Sequence, residues 1–151
     1  MNANTIKFIK VTFFTNKIMR VLEKFRDFAP ALLRYGLGLV YLWFGISQWL
    51  NPNYFIGYLP SFIFNSGFAQ TFVLINGTFE IIAGILLILG IFTRIVALLL
   101  GLHLLAILID LGYGDVAIRD FGLAISTITI ALFGNDKYCL GRRIWKKKRT
   151  Q

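Results

Sequence analysis

Ionisable side chains in the middle of apolar stretches are the residues of this chain that could do chemistry. Glu80 lies within one apolar stretch of about twenty residues, and His103 lies within the next. Charge inside a hydrocarbon core is costly, so such groups turn inward and mark ligand sites or proton paths. A carboxyl group beside an imidazole could relay a proton near neutral pH. It could also bind the carbonyl or hydroxyl of a quinone-like head, or serve only as a polar clamp between helices.

Four apolar stretches must position these groups. They run approximately Ala31 to Leu50, Phe68 to Gly90, Arg94 to Leu111 and Arg119 to Phe133, and roughly 20 helical residues cross a hydrocarbon core. Only 15% of the 151 residues are charged and 57% are hydrophobic, whereas soluble domains carry about 25% charged residues. We therefore predict an all-α integral membrane protein, a bundle of four transmembrane helices.

Small and polar residues recur along one face of each predicted span, and we expect these faces to meet in a polar interior. The faces are Arg34, Gly38, Tyr41, Gly45 and Gln48 on the first span; Asn76, Gly77, Glu80, Ala83 and Gly84 on the second; His103, Ala106 and Asp110 on the third; and Asp120, Ala124, Thr127, Ala131 and Gly134 on the fourth.

Depth along the spans divides the polar residues into two groups. At about 1.5 Å of rise per residue, Glu80 and His103 lie at one level near the membrane centre, with Arg34 below them and reaching toward Glu80. Gln48 and Asn76 lie further out. The candidate ligand or proton site comprises Glu80, His103, Arg34, Asn76 and Gln48, and the outer polar cluster comprises Asp110, Arg119 and Asp120. An outer salt bridge is the favoured interpretation of Arg119 and Asp120.

Basic residues set the predicted orientation. They cluster before the first span, after the fourth and at Arg94 in the second-to-third turn, whereas the segment from Leu50 to Gly67 carries no charge. The positive-inside rule therefore predicts that both termini are cytoplasmic. Because the basic residues flank membrane spans, the net charge of +9 is expected to meet anionic lipid headgroups and no nucleic acid.

Three segments are predicted. Residues 1–29 form a basic amphipathic helix on the inner membrane surface, with docking to a cytosolic partner as the alternative. Residues 30–135 form the four-span domain, and residues 136–151 form a basic cytoplasmic tail. The aromatic-rich loop after the first span predicts either a short helix covering the bundle or an ordinary aromatic belt.

The sequence contains few residues that could bind a metal or a redox cofactor. A single histidine and a single cysteine cannot supply bis-histidine haem ligation or a CxxC pair, and no metal-ligand spacing occurs. We predict no metal site, no intrinsic cofactor and no catalytic residue.

The first three spans carry a recognisable set of motifs. Span one reads RYGLGLVYLWFGISQWLNP, and spans two and three read NGTFEIIAGILLILGIFTRIVALLLGLHLL. From about residue 31 to 135 the chain resembles the DoxX family of small four-helix membrane proteins. Gln48 stands where the family often has lysine, so a charge-dependent role there is not expected to carry over. The residues that carry the resemblance are Arg34, Gly45, Gly77, Glu80, Gly90, Thr93 and Arg94.

The resemblance implies a prokaryotic cytoplasmic membrane and a role near the quinone pool. Some relatives are subunits of membrane-bound thiosulfate:quinone oxidoreductase, and others join membrane oxidoreductase complexes concerned with redox balance. The leading hypothesis is a small accessory oxidoreductase subunit in which Glu80 and His103 contact or protonate a quinone and Arg34 tunes the charge of Glu80. Electrons would come from partner subunits. A homo-oligomer stays open, as do a small-solute or proton transporter and a purely structural membrane scaffold.

Overall fold

The structure, a computed structural model, describes Thr15 and residues 18–141, and this part of the chain contains helices and no strands. The predicted all-α class is therefore confirmed. In chain order the helices are α1 (residues 18–25), α2 (Ala29–Leu50), α3 (Pro52–Ile56), α4 (Ser61–Phe64), α5 (Ala69–Leu89), α6 (Thr93–Leu111) and α7 (Asp115–Phe133).

The four long helices correspond to the four predicted apolar stretches. Helices α2, α5 and α7 are long and apolar enough to cross a membrane, which confirms a multi-pass membrane protein. Thr93–Ile109, the apolar part of α6 whose side chains are described, is shorter. A fourth span therefore stays a prediction.

Local sequence explains where these helices begin and end. A proline stands in the first turn of α2. The N–H groups of this turn have no acceptor within the helix, so a residue without an N–H fits there. Helix α5 ends at Gly90, whose φ of 69° is the left-handed cap conformation that glycine adopts without strain. Helix α7 begins at Asp115, in the favourable first-turn position for an acidic residue. The predicted start at Arg119 was thus one turn too late.

Two close helix pairs build the bundle: α2 packs on α5, and α6 packs on α7. In the first pair, a Cβ placed at Gly45 would lie 2.6 Å from the carbonyl oxygen of Gly77, and one at Gly84 would lie 3.1 Å from that of Gly38. Glycines therefore let the two backbones touch, as is typical of helix contacts in membranes. The contacts between the two pairs are fewer.

The predicted inward face of α6 borders the space between the two helix pairs and not a packed contact. The half-buried His103 and the exposed Ala106 line this space. The buried residues of the helix are Thr93, Val96, Ala97, Leu100 and Gly101. The side chain of Asp110 lies outside the described residues.

The chain before α2 and after α7 meets the same end of the bundle. The apolar side chains of α1, including Val21, Leu22 and Phe25, are exposed, while residues 1–14, 16–17 and 142–151 lie outside the described part. Beyond α7, Cys139 is fully buried and the Gly141 N–H donates to the Gly90 carbonyl at 3.2 Å. The first residues of the predicted tail therefore pack on the α5–α6 turn.

Candidate ligand-binding cavity

A cavity of about 930 Å³ lies between the two helix pairs. All four long helices contribute to its walls, together with the α3–α4 segment, so the loop after α2 covers one end of the bundle. This volume lies within the range of small-molecule sites in proteins. Aromatic side chains supply much of the wall, among them Phe44, Tyr54, Phe55, Tyr58, Phe62 and Phe72.

Glu80 is the centre of the polar part of this wall. Its side chain is buried, and its Oε2 accepts a hydrogen bond from Gln48 Nε2 at 2.8 Å. Its Oε1 accepts one from Asn76 Nδ2 at 3.2 Å, and the same Asn76 nitrogen is 2.9 Å from Gln48 Oε1. Both carboxylate oxygens are thus bonded to amide groups. We call Gln48, Asn76, Glu80 and His103 the cavity cluster.

The helix geometry accounts for this cluster. Asn76 precedes Glu80 by four residues, which places both on one face of α5. The close approach of Gly45 to Gly77 holds α2 against α5, and Gln48 lies nearly one turn after Gly45 on the same face. The amide of Gln48 therefore reaches the carboxylate across the closest part of the helix pair.

His103 completes the cluster from α6. Its Nε2 lies 3.8 Å from Glu80 Oε1, beyond hydrogen-bonding distance. This nitrogen is buried, and among the described residues it has no hydrogen-bond partner. The ring is fixed by an edge-to-face contact with Phe79, with ring centroids 5.1 Å apart. Among the described residues of the cavity wall, His103 therefore contributes a buried nitrogen with an unused bonding position.

Arg119 and Asp120 line the same cavity. Arg119 Nε donates to Asp120 Oδ1 at 2.7 Å, so the two form a salt bridge. The Arg119 guanidinium also lies 5.7 Å from the centre of the Phe44 ring. Described residues of both predicted polar groups thus border one cavity. Sequence reasoning placed Tyr41 on the inward face of α2 but not in the site, although it lines this cavity and its hydroxyl lies 3.0 Å from Thr127 Oγ1.

Arg34 does not join the cavity cluster, which corrects its predicted reach toward Glu80. Its fully buried guanidinium donates through Nε to Asp136 Oδ2 at 2.8 Å, and through Nη1 to the carbonyls of Leu87, at 2.7 Å, and Ile88. The last carbonyls of a helix lack the regular intrahelical partners. The Leu87 carbonyl accepts the capping Gly90 N–H at 3.1 Å and has a second lone pair for the arginine. Leu87 is seven residues beyond Glu80, about 10 Å along the helix axis.

The Arg34 site is closed by the segment after α7. Burial acts to raise the pKa of the Asp136 carboxyl, but the hydrogen bonds from Arg34 and from the Tyr138 backbone N–H outweigh it and hold this pKa below its ordinary value of 3.8. We call Arg34, Asp136 and the Leu87 and Ile88 carbonyls the inner clamp. Its charges are paired with each other, which is the arrangement of a structural ion pair.

Comparison with known proteins assigns the chain to a family. A family model, DoxX, matches residues 29–112, more than half of the chain. The chain belongs to the DoxX family. The match runs from the first turn of α2 to the end of α6, and so includes the whole cavity cluster. No curated protein and no solved structure matched the chain.

The described residues were also compared with the grouping that a metal ion requires. Within the described part of the chain, no group of three or more histidine, cysteine, aspartate or glutamate side chains lies together in a way that could hold a metal ion.

Proposed function

We propose that this DoxX-family membrane protein binds the ring of a quinone-like amphiphile in its cavity, as an accessory subunit of a membrane oxidoreductase. The observation that carries the proposal is the cavity itself, where aromatic walls meet a buried carboxylate and a histidine nitrogen without a partner. Small-molecule sites combine apolar walls with a few placed polar groups in this way.

The chemistry of the lining fits a quinone ring. Flat aromatic side chains such as Phe44 and Phe72 offer stacking surfaces, and Glu80 and His103 offer hydrogen bonds to a ring oxygen. A bound quinone would supply two-electron redox chemistry. Because the sequence shows no ligands for a redox cofactor, we propose that partner subunits supply or remove the electrons. A complex with further copies of this chain is compatible with the same role.

The proposed topology has four spans and both termini in the cytoplasm of a prokaryotic cell. Arg94 in the first turn of α6 and Lys137 beyond α7 lie with the inner clamp at one end, and the uncharged α3–α4 segment lies at the other. This asymmetry follows the positive-inside rule. We place α1 on the inner leaflet, where its apolar face enters the membrane and its basic residues meet anionic lipid headgroups.

Purification from native membranes in a gentle detergent tests the proposal, with quinones extracted and analysed by mass spectrometry. We expect about one quinone per protein or per complex, together with an oxidoreductase partner. Glu80→Gln and His103→Phe should each retain less quinone than the wild type while their unfolding temperatures stay near the wild-type value. Thr78→Val is the matched control, because Thr78 is exposed and lies outside the cavity. Quinone-free wild-type protein without partners would refute the proposal.

Proton or small-solute transfer is the second candidate. The 3.8 Å separation of His103 Nε2 and Glu80 Oε1 favours it, because one water molecule could link the two groups. Proteoliposome flux that disappears in Glu80→Gln, from protein that carries no quinone, would establish transfer instead. If both cavity variants change only the unfolding temperature, the cluster is a structural scaffold.

A further inference from the structure

The gap between His103 and Glu80 determines which atom a ligand must present to them. We propose that the cavity prefers the reduced, hydroxyl-bearing form of its ring ligand to the oxidised, carbonyl-bearing form. This inference rests on the proposed function, since it specifies the form of the quinone-like ligand in the same cavity.

The distance between the two polar atoms is that of a bridged pair. His103 Nε2 and Glu80 Oε1 are 3.8 Å apart, too far for a direct hydrogen bond. One oxygen atom about 2.8 Å from each could bond to both. Both residues line the cavity, and because His103 Nε2 is itself buried, a ring oxygen that enters from the cavity reaches this position when the surrounding side chains shift to uncover the nitrogen.

The hydrogen bonds that the Glu80 carboxylate already accepts determine how it can still bond to that oxygen. Gln48 and Asn76 already donate N–H groups to its two oxygens, and the remaining positions of the carboxylate are acceptors. The carboxylate in front of His103 Nε2 favours a hydrogen on that nitrogen. The bridging atom must therefore accept a hydrogen bond from His103 and donate one to Glu80.

A hydroxyl group can do both, whereas a carbonyl oxygen can only accept. A carbonyl in this position would turn its lone pairs toward the Glu80 carboxylate and leave that buried acceptor position unsatisfied. Hydrogen bonds to charged groups are among the stronger ones in proteins, so this difference corresponds to about a tenfold or larger change in affinity.

Among the described residues of the cavity wall, Glu80 and His103 are the pair whose separation suits a single bridging oxygen. The Arg119 guanidinium is bonded to Asp120 on α7, and the Tyr41 hydroxyl is paired with Thr127. Tyr54 and Tyr58 line the cavity from the covering α3–α4 segment, with their rings in contact with each other. The choice between hydroxyl and carbonyl therefore falls to Glu80 and His103.

Ligand binding to the full-length protein in nanodiscs tests the inference under anaerobic conditions. The probes are decylubiquinone and a short-chain menaquinone, each in its oxidised and its two-electron reduced form. We expect the reduced form to bind about tenfold or more tightly. Glu80→Gln should narrow this ratio, because a glutamine amide can donate an N–H to a carbonyl oxygen. His103→Phe should weaken both forms and leave the reduced form the tighter one.

Asp120→Asn is the matched control, because it also neutralises a cavity carboxylate but one bonded to Arg119. We expect the ratio of the two affinities to persist in it. Equal binding of the two forms, or tighter binding of the oxidised form, would overturn the inference while the proposed function stood. A similar loss of the ratio in Asp120→Asn and Glu80→Gln would also overturn it, since the effect would then be general charge. Failure of both forms to bind would overturn the proposed function as well.

Discussion

The cavity cluster and the inner clamp both bury charge between helices, and they differ in how completely that charge is paired. In the inner clamp, Arg34 is fully buried and bonds to a carboxylate and to two backbone carbonyls. In the cavity cluster, Glu80 is bonded only to amides, and His103 Nε2 faces it without a bond. One site is closed by the protein itself, and the other keeps an unused bonding position on a buried nitrogen of a residue that lines the cavity.

This difference separates a structural role from a binding role. A buried ion pair that loses one partner leaves an uncompensated charge, so such a pair is expected to be critical for folding. An unsatisfied buried polar atom also destabilises the folded state, and it persists where a ligand or water completes its bonding. The four predictions that follow vary the pairing at one site or the other.

The largest effect is expected from Arg34→Met. It would leave the buried Asp136 carboxylate without its cation and should lower the free energy of unfolding by about 3–5 kcal/mol. Chemical denaturation in detergent micelles measures this loss. The double variant with Asp136→Leu should recover part of it, because neither charge then remains buried. A loss below about 1 kcal/mol in the single variant, the range of exposed pairs, would show that the inner clamp is not structural.

A smaller loss is expected from Gly45→Ala. The added Cβ would meet the carbonyl of Gly77 at 2.6 Å, so α2 and α5 must separate, at about 1–3 kcal/mol. The same separation withdraws Gln48 from Glu80 and should weaken ligand binding. Gly36→Ala is the control, because a Cβ there meets nothing within 4 Å and should raise stability by about 0.5–1 kcal/mol. Equal effects of the two variants would contradict the close pairing of α2 and α5.

The sequence predicted the long helices well because their signals are local. Apolar length and the glycine at position 90 bounded α5 to within one residue at each end. Depth also follows from the fixed rise of a helix, so Glu80 and His103 were correctly expected at one level. Helix α6 carries apolar residues around most of its circumference, and for that reason its periodicity did not reveal which face packs on α7.

The remaining errors concern contacts that no periodicity encodes. The partner of Arg34 is Asp136, 102 residues away, and it reaches that position only because the chain after α7 folds back onto the bundle. Likewise, the cavity arises from the looser packing between two helix pairs, which is a property of their arrangement. The residue types in the candidate site were predictable, whereas the division into clamp and cavity required the fold.

The inner clamp should also respond to acid. The pKa of Asp136 is held below 3.8 in the folded protein, so its contribution to stability is fully present above its unfolded pKa. This contribution is lost as the pH falls below about 3.8 and passes through the native pKa. We expect the stability difference between wild type and Asp136→Asn to stay constant from pH 8 to pH 5 and to shrink in stronger acid. A difference that varied between pH 8 and pH 5 would indicate that another group titrates with the clamp.

The smallest effect is expected from Lys137→Ala, one residue from the clamp. Lys137 pairs with Asp27, but the two side chains are 63% and 59% exposed. The hydrogen bond from Lys137 lowers the pKa of the Asp27 carboxyl, but the pair stays in contact with solvent. Solvent and salt screen such pairs, and many contribute nothing measurable. Denaturation curves of Lys137→Ala and wild type should therefore coincide.

Because Asp136 and Lys137 are adjacent in sequence, a contrast between Asp136→Asn and Lys137→Ala isolates burial of the partner as the cause. A loss in Lys137→Ala comparable to that in Arg34→Met would mean instead that the whole segment after α7, and not the buried charge alone, holds the inner end together.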